Sequence, residues 1–399
     1  FRLYEQSRLT SKNRHTKSES VLLRLAANGQ HGAKHKGRSM QQIKAAVCHE
    51  FGKPLTIDTI TLHAPNMGEV EVTLKACAIC HSDISFAEGG WGGTLPAVYG
   101  HEAAGHITSV GSGVNGVSIG DAVVVTLIKS CGSCGSCASG KPVICETDMA
   151  TDGPLTTSDG APLVQAMNCG AFAQKVVVDQ SQIVRIPADM DMNAASLLAC
   201  GVITGIGAVV NAAELRAGQD VVVIGAGGVG LNAIQGARIA GARRIVAVDI
   251  SEEKLQIARD FGATDGVLAS DDAPWDAARA AIGRGADAVF VTVGAVPVYN
   301  QAPNYLAPGG KVVMVGMPHI GDAATYDPGS MAAAGQSMIG SKMGDAVIAR
   351  DIPWMVDLYQ QGRLKLDELV SQTWTLDQIN DAIADTKTGS AKRNVIAFD

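Results

Sequence analysis

The stretch Asp220-Val-Val-Val-Ile224-Gly225-Ala-Gly227-Gly228-Val229-Gly230 decides the fold of this chain. Asp220–Ile224 is a short, almost wholly apolar run, the pattern of a strand buried on both faces. The small residues of Gly230–Ala240 read as a helix. Between them lies a glycine turn that can cradle a phosphate. Gly225 permits the tight reversal, Gly227 lets backbone approach a pyrophosphate, and Gly230 allows the helix to pack close on the strand. Gly228 and Val229 open the helix, whose free N–H groups favour an anion. A Gly-x-Gly-x-x-Gly pattern alone is weak evidence. Here a strand precedes it, a helix follows, and Asp249 ends the next strand, Arg244–Asp249. A carboxylate there accepts hydrogen bonds from a ribose 2′-hydroxyl and repels a 2′-phosphate, so NAD is expected over NADP.

Working outward, Glu252–Phe261 reads as a helix, and Ala286–Val293 and Gly310–Gly316 as strands, with helical stretches between and after them. Strands and helices alternating at this spacing imply a doubly wound parallel sheet of the Rossmann type. Residues 43–125 are different: short β-rich segments such as Glu69–Ala76 and Gly105–Val110, punctuated by Gly and Pro. Residues 130–170 read as loop and Ala171–Ile186 as strand. Beyond 344 come a helix, Ala349–Gln361, and a strand, Asn394–Phe398. The fold class is α/β: a β-rich domain joined to a doubly wound parallel sheet.

The 399 residues are 46% apolar and carry a formal charge of −7. The charge is uneven. Residues 1–39 hold nine basic side chains against Glu5 and Glu19, a balance of +7 that leaves −14 for the remainder. An acidic body argues against nucleic acid as partner. No uninterrupted apolar run reaches the ~18 residues of a membrane span, and no membrane partner is expected. Residues 1–39 lack an apolar segment of the secretory type; they are read as a tag, transit or artefactual leader outside the fold.

Nine cysteines cluster instead of spreading at framework spacings, which favours metal binding, a reducing compartment and hence the cytoplasm. Cys131, Cys134, Cys137 and Cys145 fall within fifteen residues, separated by small residues that allow tight chain reversals. Four thiolates can close a tetrahedral site, so this lobe, 130–146, is expected to hold a structural zinc. Disulfides conflict with the compartment. An iron–sulfur cluster fits the spacing but lacks an electron-transfer context.

Outside the lobe, Cys80-His81-Ser82-Asp83, Gly100-His101-Glu102 and Cys200-Gly201 offer soft ligands. Two Cys and one His make a three-ligand zinc that leaves one coordination position for substrate. Each segment alone is weak: a lone buried Cys is more often a small hydrophobe, and Cys77-x-x-Cys80 could be a thiol redox pair.

Together the segments CHSD (80–83), GHE (100–102), the lobe (131–145), ACGVITG (199–205), GAGGVG (225–230) and VAVD (246–249) carry a resemblance. In order and spacing, residues 43–399 resemble the zinc-containing medium-chain alcohol dehydrogenases, closest to the class III branch and bacterial relatives. The resemblance implies a GroES-like catalytic domain (40–201 and 344–399) with a Rossmann NAD-binding domain (202–343) inserted. It implies Cys80, His101 and Cys200 as ligands of a catalytic zinc, making two zinc ions per chain, and Glu102 beside the metal. Asp83 would orient His101, and Ser82 would contact the substrate hydroxyl. Thr204 and Val229 would flank the nicotinamide, His81 and Arg393 the pyrophosphate, and Lys254 the adenosine ribose. A homodimer or homotetramer is implied, acting on a small-molecule alcohol or aldehyde.

Three positions depart from the family pattern. Ser85 stands where several members carry a relay His, so the proton exit must differ. Trp91 replaces the class III acidic residue, and Met149 a basic one, which weakens a glutathione adduct as substrate. Trp91 and Leu127 are expected in the pocket wall. The alternatives are an S-(hydroxymethyl)glutathione dehydrogenase, a relative that keeps NAD permanently bound, and a non-catalytic NAD-binding protein of the same fold.

Overall fold

The computed structural model describes residues 40–147 and 153–399. The readings made for 1–39 and for Met149 lie outside the described residues. The deciding stretch forms a strand at Asp220–Ile224, buried at all five positions. It lies inside a six-stranded, all-parallel sheet. Its neighbours are Arg244–Asp249 and Ala286–Val291; beyond these lie Asp265–Leu268 on one side, and Leu306–Met314 and Ser337–Gly340 on the other. Numbered within the sheet, the order is 3-2-1-4-5-6. Such a sheet binds ligands where the order reverses, outside the carboxyl ends of the strands. The helix after the glycine turn spans Gly228–Ile239, starting two residues earlier than the sequence reading.

The β-rich half is built around the strand Glu69–Ala78. It pairs antiparallel with Glu102–Val110, Lys175–Asp179 and Arg393–Ala397. Register then does chemical work: Ala78 lies opposite both Glu102 and Val395. Cys80, His101 and Arg393, each one or two residues beyond those partners, are therefore delivered to the same end of the sheet.

One long helical stretch, Met192–Ala212, joins the halves. It is not legible as a helix in the sequence, and the boundary expected at 201/202 falls within it. Gly201, Gly205, Gly207 and several β-branched residues lower its propensity. Burial overrides that: side chains from this stretch pack in one core with Ala76 and Val124 of the β-rich half and with Val221, Leu231 and Ile234 of the parallel half. By length and hydropathy its 21 residues could cross a membrane, but 83% of the apolar window is already buried inside the protein. A helix apolar all round is what a core position requires. Two turns are π-helical, Leu198–Val202 and Ala208–Ala212.

Candidate active site

Cys80 precedes the short helix His81–Ala87. Asp83, in the first turn, accepts the Cys80 N–H at 3.1 Å through Oδ2. Its Oδ1 accepts the Gly100 N–H at 2.9 Å and lies 2.9 Å from His101 Nδ1. One buried carboxylate thus ties together the two segments that carry Cys80 and His101 and fixes which imidazole nitrogen is free. His101 Nε2 has no hydrogen-bond partner among the described residues, although His101 is fully buried. Cys200 comes from the first π-helical turn of the long helix, a distortion common at functional sites.

Ligand atoms of Cys80, His101, Glu102 and Cys200 all lie within 4.8 Å of one another, and all four residues are buried. An orphaned imidazole nitrogen beside two thiols is a donor set that fits zinc. Burial alone would lower the His101 pKa, but the charge and hydrogen bond of Asp83 raise it well above normal. Cys80 is held low, first by a hydrogen bond from Cys200, whose own thiol is raised by the same sharing and by burial. Glu102 forms an ion pair with Arg393 at 3.2 Å, yet burial still pushes its carboxyl up to about 8. Ser82 Oγ lies 3.4 Å from Cys80 Sγ. Thr204, one turn after Cys200, has its Oγ1 3.8 Å from that thiol.

The lobe places its four Sγ atoms within the same 4.8 Å limit. Cys131 and Cys137 are 4.0 Å apart and Cys134 and Cys145 3.9 Å. Tetrahedral bonds of ~2.3 Å put sulfurs roughly 3.8 Å apart, whereas a disulfide needs ~2.05 Å. All nine cysteines are free. The set fits one ion and leaves no room for several irons. Thr147 donates to Cys131 Sγ at 3.0 Å and, with the N–H groups of Ser133 and Cys134, lowers that thiol to about 5. Backbone N–H groups of Glu146 and Cys137 lower Cys134. Neither Thr147 nor Glu146 was signalled by sequence spacing.

At the glycine turn, Gly225 has φ +96°, a conformation that disfavours a side chain. A Cβ on Gly230 would sit 1.7 Å from the Gly225 carbonyl oxygen, so the close packing leaves no room for one. A Cβ on Gly227, by contrast, would meet no heavy atom within 4 Å, which leaves the backbone open on the side a pyrophosphate would approach. Arg393, buried, backs the same turn: its Nε lies 2.5 Å from where a Gly228 Cβ would be, and its Nη2 has no partner among the described residues. That donor, together with the open turn, fits a dinucleotide. His81 stands nearby; the surrounding protein, then the Arg393 and Lys254 charges, lower its pKa against the opposing effect of Cys80. Lys254 projects toward Gly389 of the C-terminal segment. The carbonyl of Val229 abuts Gly205 of the long helix. Asp249 is more engaged than the sequence implied: its carboxylate accepts the Ala226 N–H at 2.7 Å and the Ser251 N–H at 3.1 Å.

Trp91 stacks edge-on against Phe86, centroids 5.1 Å apart, and donates its indole N–H to the Pro318 carbonyl at 3.2 Å. It therefore reaches from the β-rich half to a loop of the parallel half. Leu127 is half-buried and packs against both main cores. Met343 escaped the sequence reading altogether, yet its Sδ lies 3.7 Å from Cys200 Sγ and 3.8 Å from Thr204 Oγ1.

Comparison with known proteins agrees with this geometry. Residues 66–188 match the alcohol dehydrogenase GroES-like domain and residues 228–361 the zinc-binding dehydrogenase domain. The chain is 35% identical over 363 residues to the NDMA-dependent alcohol dehydrogenase of Amycolatopsis methanolica, covering 88% of this chain and 98% of that protein. It is 33% identical over 378 residues to the S-(hydroxymethyl)glutathione dehydrogenase of Paracoccus denitrificans, covering 89% and 99%. The crystal structure of benzyl alcohol dehydrogenase from Acinetobacter calcoaceticus superposes with a TM-score of 0.84 at 29% identity, covering 90% of this chain and all of that one. The chain belongs to the zinc-dependent medium-chain alcohol dehydrogenase family.

Proposed function

We propose that this protein oxidises a plain alcohol to an aldehyde or ketone, and runs the reverse, by hydride exchange with NAD. The carrying observation is the convergence of Cys80, His101 and Cys200 from three distant segments onto one buried point. When bound, zinc supplies a Lewis acid that acidifies an alcohol, and NAD supplies the hydride acceptor. Cys80, His101 and Cys200 would hold the catalytic zinc, and Cys131, Cys134, Cys137 and Cys145 the structural one. Asp83 orients His101; Glu102, tied to Arg393, lies beside the metal ligands. Ser82 Oγ would accept the substrate hydroxyl proton while giving its own proton outward. Ser85 offers a hydroxyl and not an imidazole, so onward transfer needs water. Gly225, Gly227, Gly228, Val229 and Gly230 would cradle the cofactor, with Asp249 and Lys254 at its ribose, His81 and Arg393 at its pyrophosphate, and Thr204 at its nicotinamide. Residues 40–201 and 344–399 would form the catalytic domain and 202–343 the cofactor domain.

A plain alcohol is favoured over a glutathione adduct because the Trp91 indole, packed on Phe86, fills the position of an acidic contact. A homo-oligomer in the cytoplasm completes the proposal. Its support is the edge strand Ser337–Gly340, unpaired on its outer side among the described residues, and the free thiols. The test is turnover of an alcohol panel with NAD, without and with glutathione, in wild type and Cys200→Ser. Loss of turnover in the variant, with the fold retained, is expected. Activity that depends on glutathione would instead favour the S-(hydroxymethyl)glutathione reading.

A further inference from the structure

The segment Met343-Gly344-Asp345 has three consecutive residues in the left-handed region, at φ 51°, 66° and 49°. Only the middle one is glycine. Met and Asp pay a steric cost there, and such backbone persists only where its surroundings impose it. The surroundings here are the long helix: a Cβ on Gly344 would sit 2.2 Å from the Ile203 carbonyl oxygen, and one on Gly207 would sit 2.3 Å from the Gly344 oxygen. Backbone lies directly on backbone, one turn beyond Cys200 and beside Thr204.

A single side chain closes this contact with directed bonds. Asn211, in the second π-helical turn, donates through Nδ2 to the Gly344 carbonyl at 3.1 Å and to Asp351 Oδ2 at 3.2 Å. Its Oδ1 accepts from Arg350 Nη2 at 2.9 Å, which fixes the amide orientation. Arg350 in turn grips Asp351 through Nε at 2.5 Å and Nη2 at 3.0 Å, and Asp351 accepts the Val347 N–H at 2.9 Å. Asp351 is buried, while the Arg350 side chain is largely exposed.

We propose that Asn211, clamped by Arg350 and Asp351, is a positioning residue that holds the left-handed turn 343–345 on the long helix and thereby fixes the Met343 thioether against Cys200 and Thr204. The inference rests on the proposed alcohol dehydrogenase reading for its kinetic consequence but not for its structural one. Without the amide, Gly344 loses its partner and the turn relaxes. Met343 then shifts relative to the zinc ligand and the nicotinamide side of the site. Misplacement of ~1 Å at a reaction site can cost ~10²-fold in rate; a turn still held by packing should lose less.

The test uses the zinc-loaded protein with ¹³C-methyl-labelled methionine. The Met343 resonance is assigned by its absence in Met343→Leu. Asn211→Ala should move or broaden that resonance while leaving two zinc ions per chain. With benzyl alcohol and NAD, kcat should fall about 10-fold with little change in KM, and the isotope effect with α,α-dideuterated benzyl alcohol should rise as hydride transfer becomes slower. Arg350→Ala, an exposed site that should not disturb folding, should change both readouts in the same direction but less. A merely structural role lowers thermal stability and moves neither the resonance nor the isotope effect; that outcome in Arg350→Ala, or in a folded Asn211→Ala, overturns the proposal. If wild type turns over no alcohol, the functional reading falls, and the methyl resonance still decides the positioning role.

Discussion

Asp83 offers the most quantitative test of the site. Its carboxylate holds three donors: the N–H groups of Cys80 and Gly100 and the ring N–H of His101. At 1% exposure, water cannot replace it. In Asp83→Asn the amide oxygen can keep the two Oδ1 bonds, but the amide nitrogen then faces the Cys80 N–H, donor against donor. One charge-assisted bond is lost, worth about 1.5–3 kcal/mol. If that cost falls on the metal-loaded geometry, catalytic-site zinc affinity should weaken about 10–100-fold, as for other residues that orient a metal-binding His. Asp83→Ala leaves all three donors unpaired and should lie at or beyond the upper end. The assay is competition with a chromophoric zinc chelator. The lobe provides an internal control, because its ligands lie in a separate thiol cluster. Only one of the two zinc ions should weaken, and turnover should track its occupancy. Asp83→Ala with wild-type affinity at both sites would refute the orienting role. Equal weakening at both sites would assign the effect to general unfolding.

Three further outcomes are expected. Cys137→Ser should remove one zinc per chain and lower the midpoint of thermal unfolding, with catalytic zinc retained; unchanged stability would mean the lobe is not a structural site. Asp249→Asn should raise the NADP/NAD ratio of kcat/KM about 10-fold or more through loss of repulsion and of charged ribose bonds, whereas Asp249→Ala should also weaken NAD by freeing Ala226; unchanged discrimination in both removes Asp249 from cofactor choice. Trp91→Phe keeps the ring but deletes the N–H bonded to Pro318, and should speed cofactor release, read by stopped-flow NADH fluorescence; an unchanged rate would mean that this bond does not restrain the two halves.

What the chain disclosed in advance follows from how local each signal was. Asp220–Ile224 and Glu252–Phe261 have the same bounds in sequence and structure, because an apolar strand run and a short helix are each written within a few residues. The four-thiol lobe was likewise local. The proposed catalytic set was not: Cys80, His101 and Cys200 meet only through strand register and the long helix, so the family resemblance had to link them. The helix Met192–Ala212 hid behind its glycines, whose low propensity is outweighed by packing visible only in three dimensions. Met343 and Asn211 gave no signal, since a left-handed methionine is dictated by its neighbours and not by its own preference.

The strand Arg393–Ala397 has a consequence for synthesis. It closes against Glu69–Ala78, so the arginine that pairs with Glu102 lies 314 residues from Ile79, whose carbonyl it meets. A ribosome must therefore finish the entire parallel sheet before the sheet that contains Glu69–Ala78 can be completed. The strands of the parallel sheet are all made while Glu69–Ala78 still waits for this partner strand. Premature termination before residue 393 would leave Glu102 without its arginine and Glu69–Ala78 without one of its partner strands.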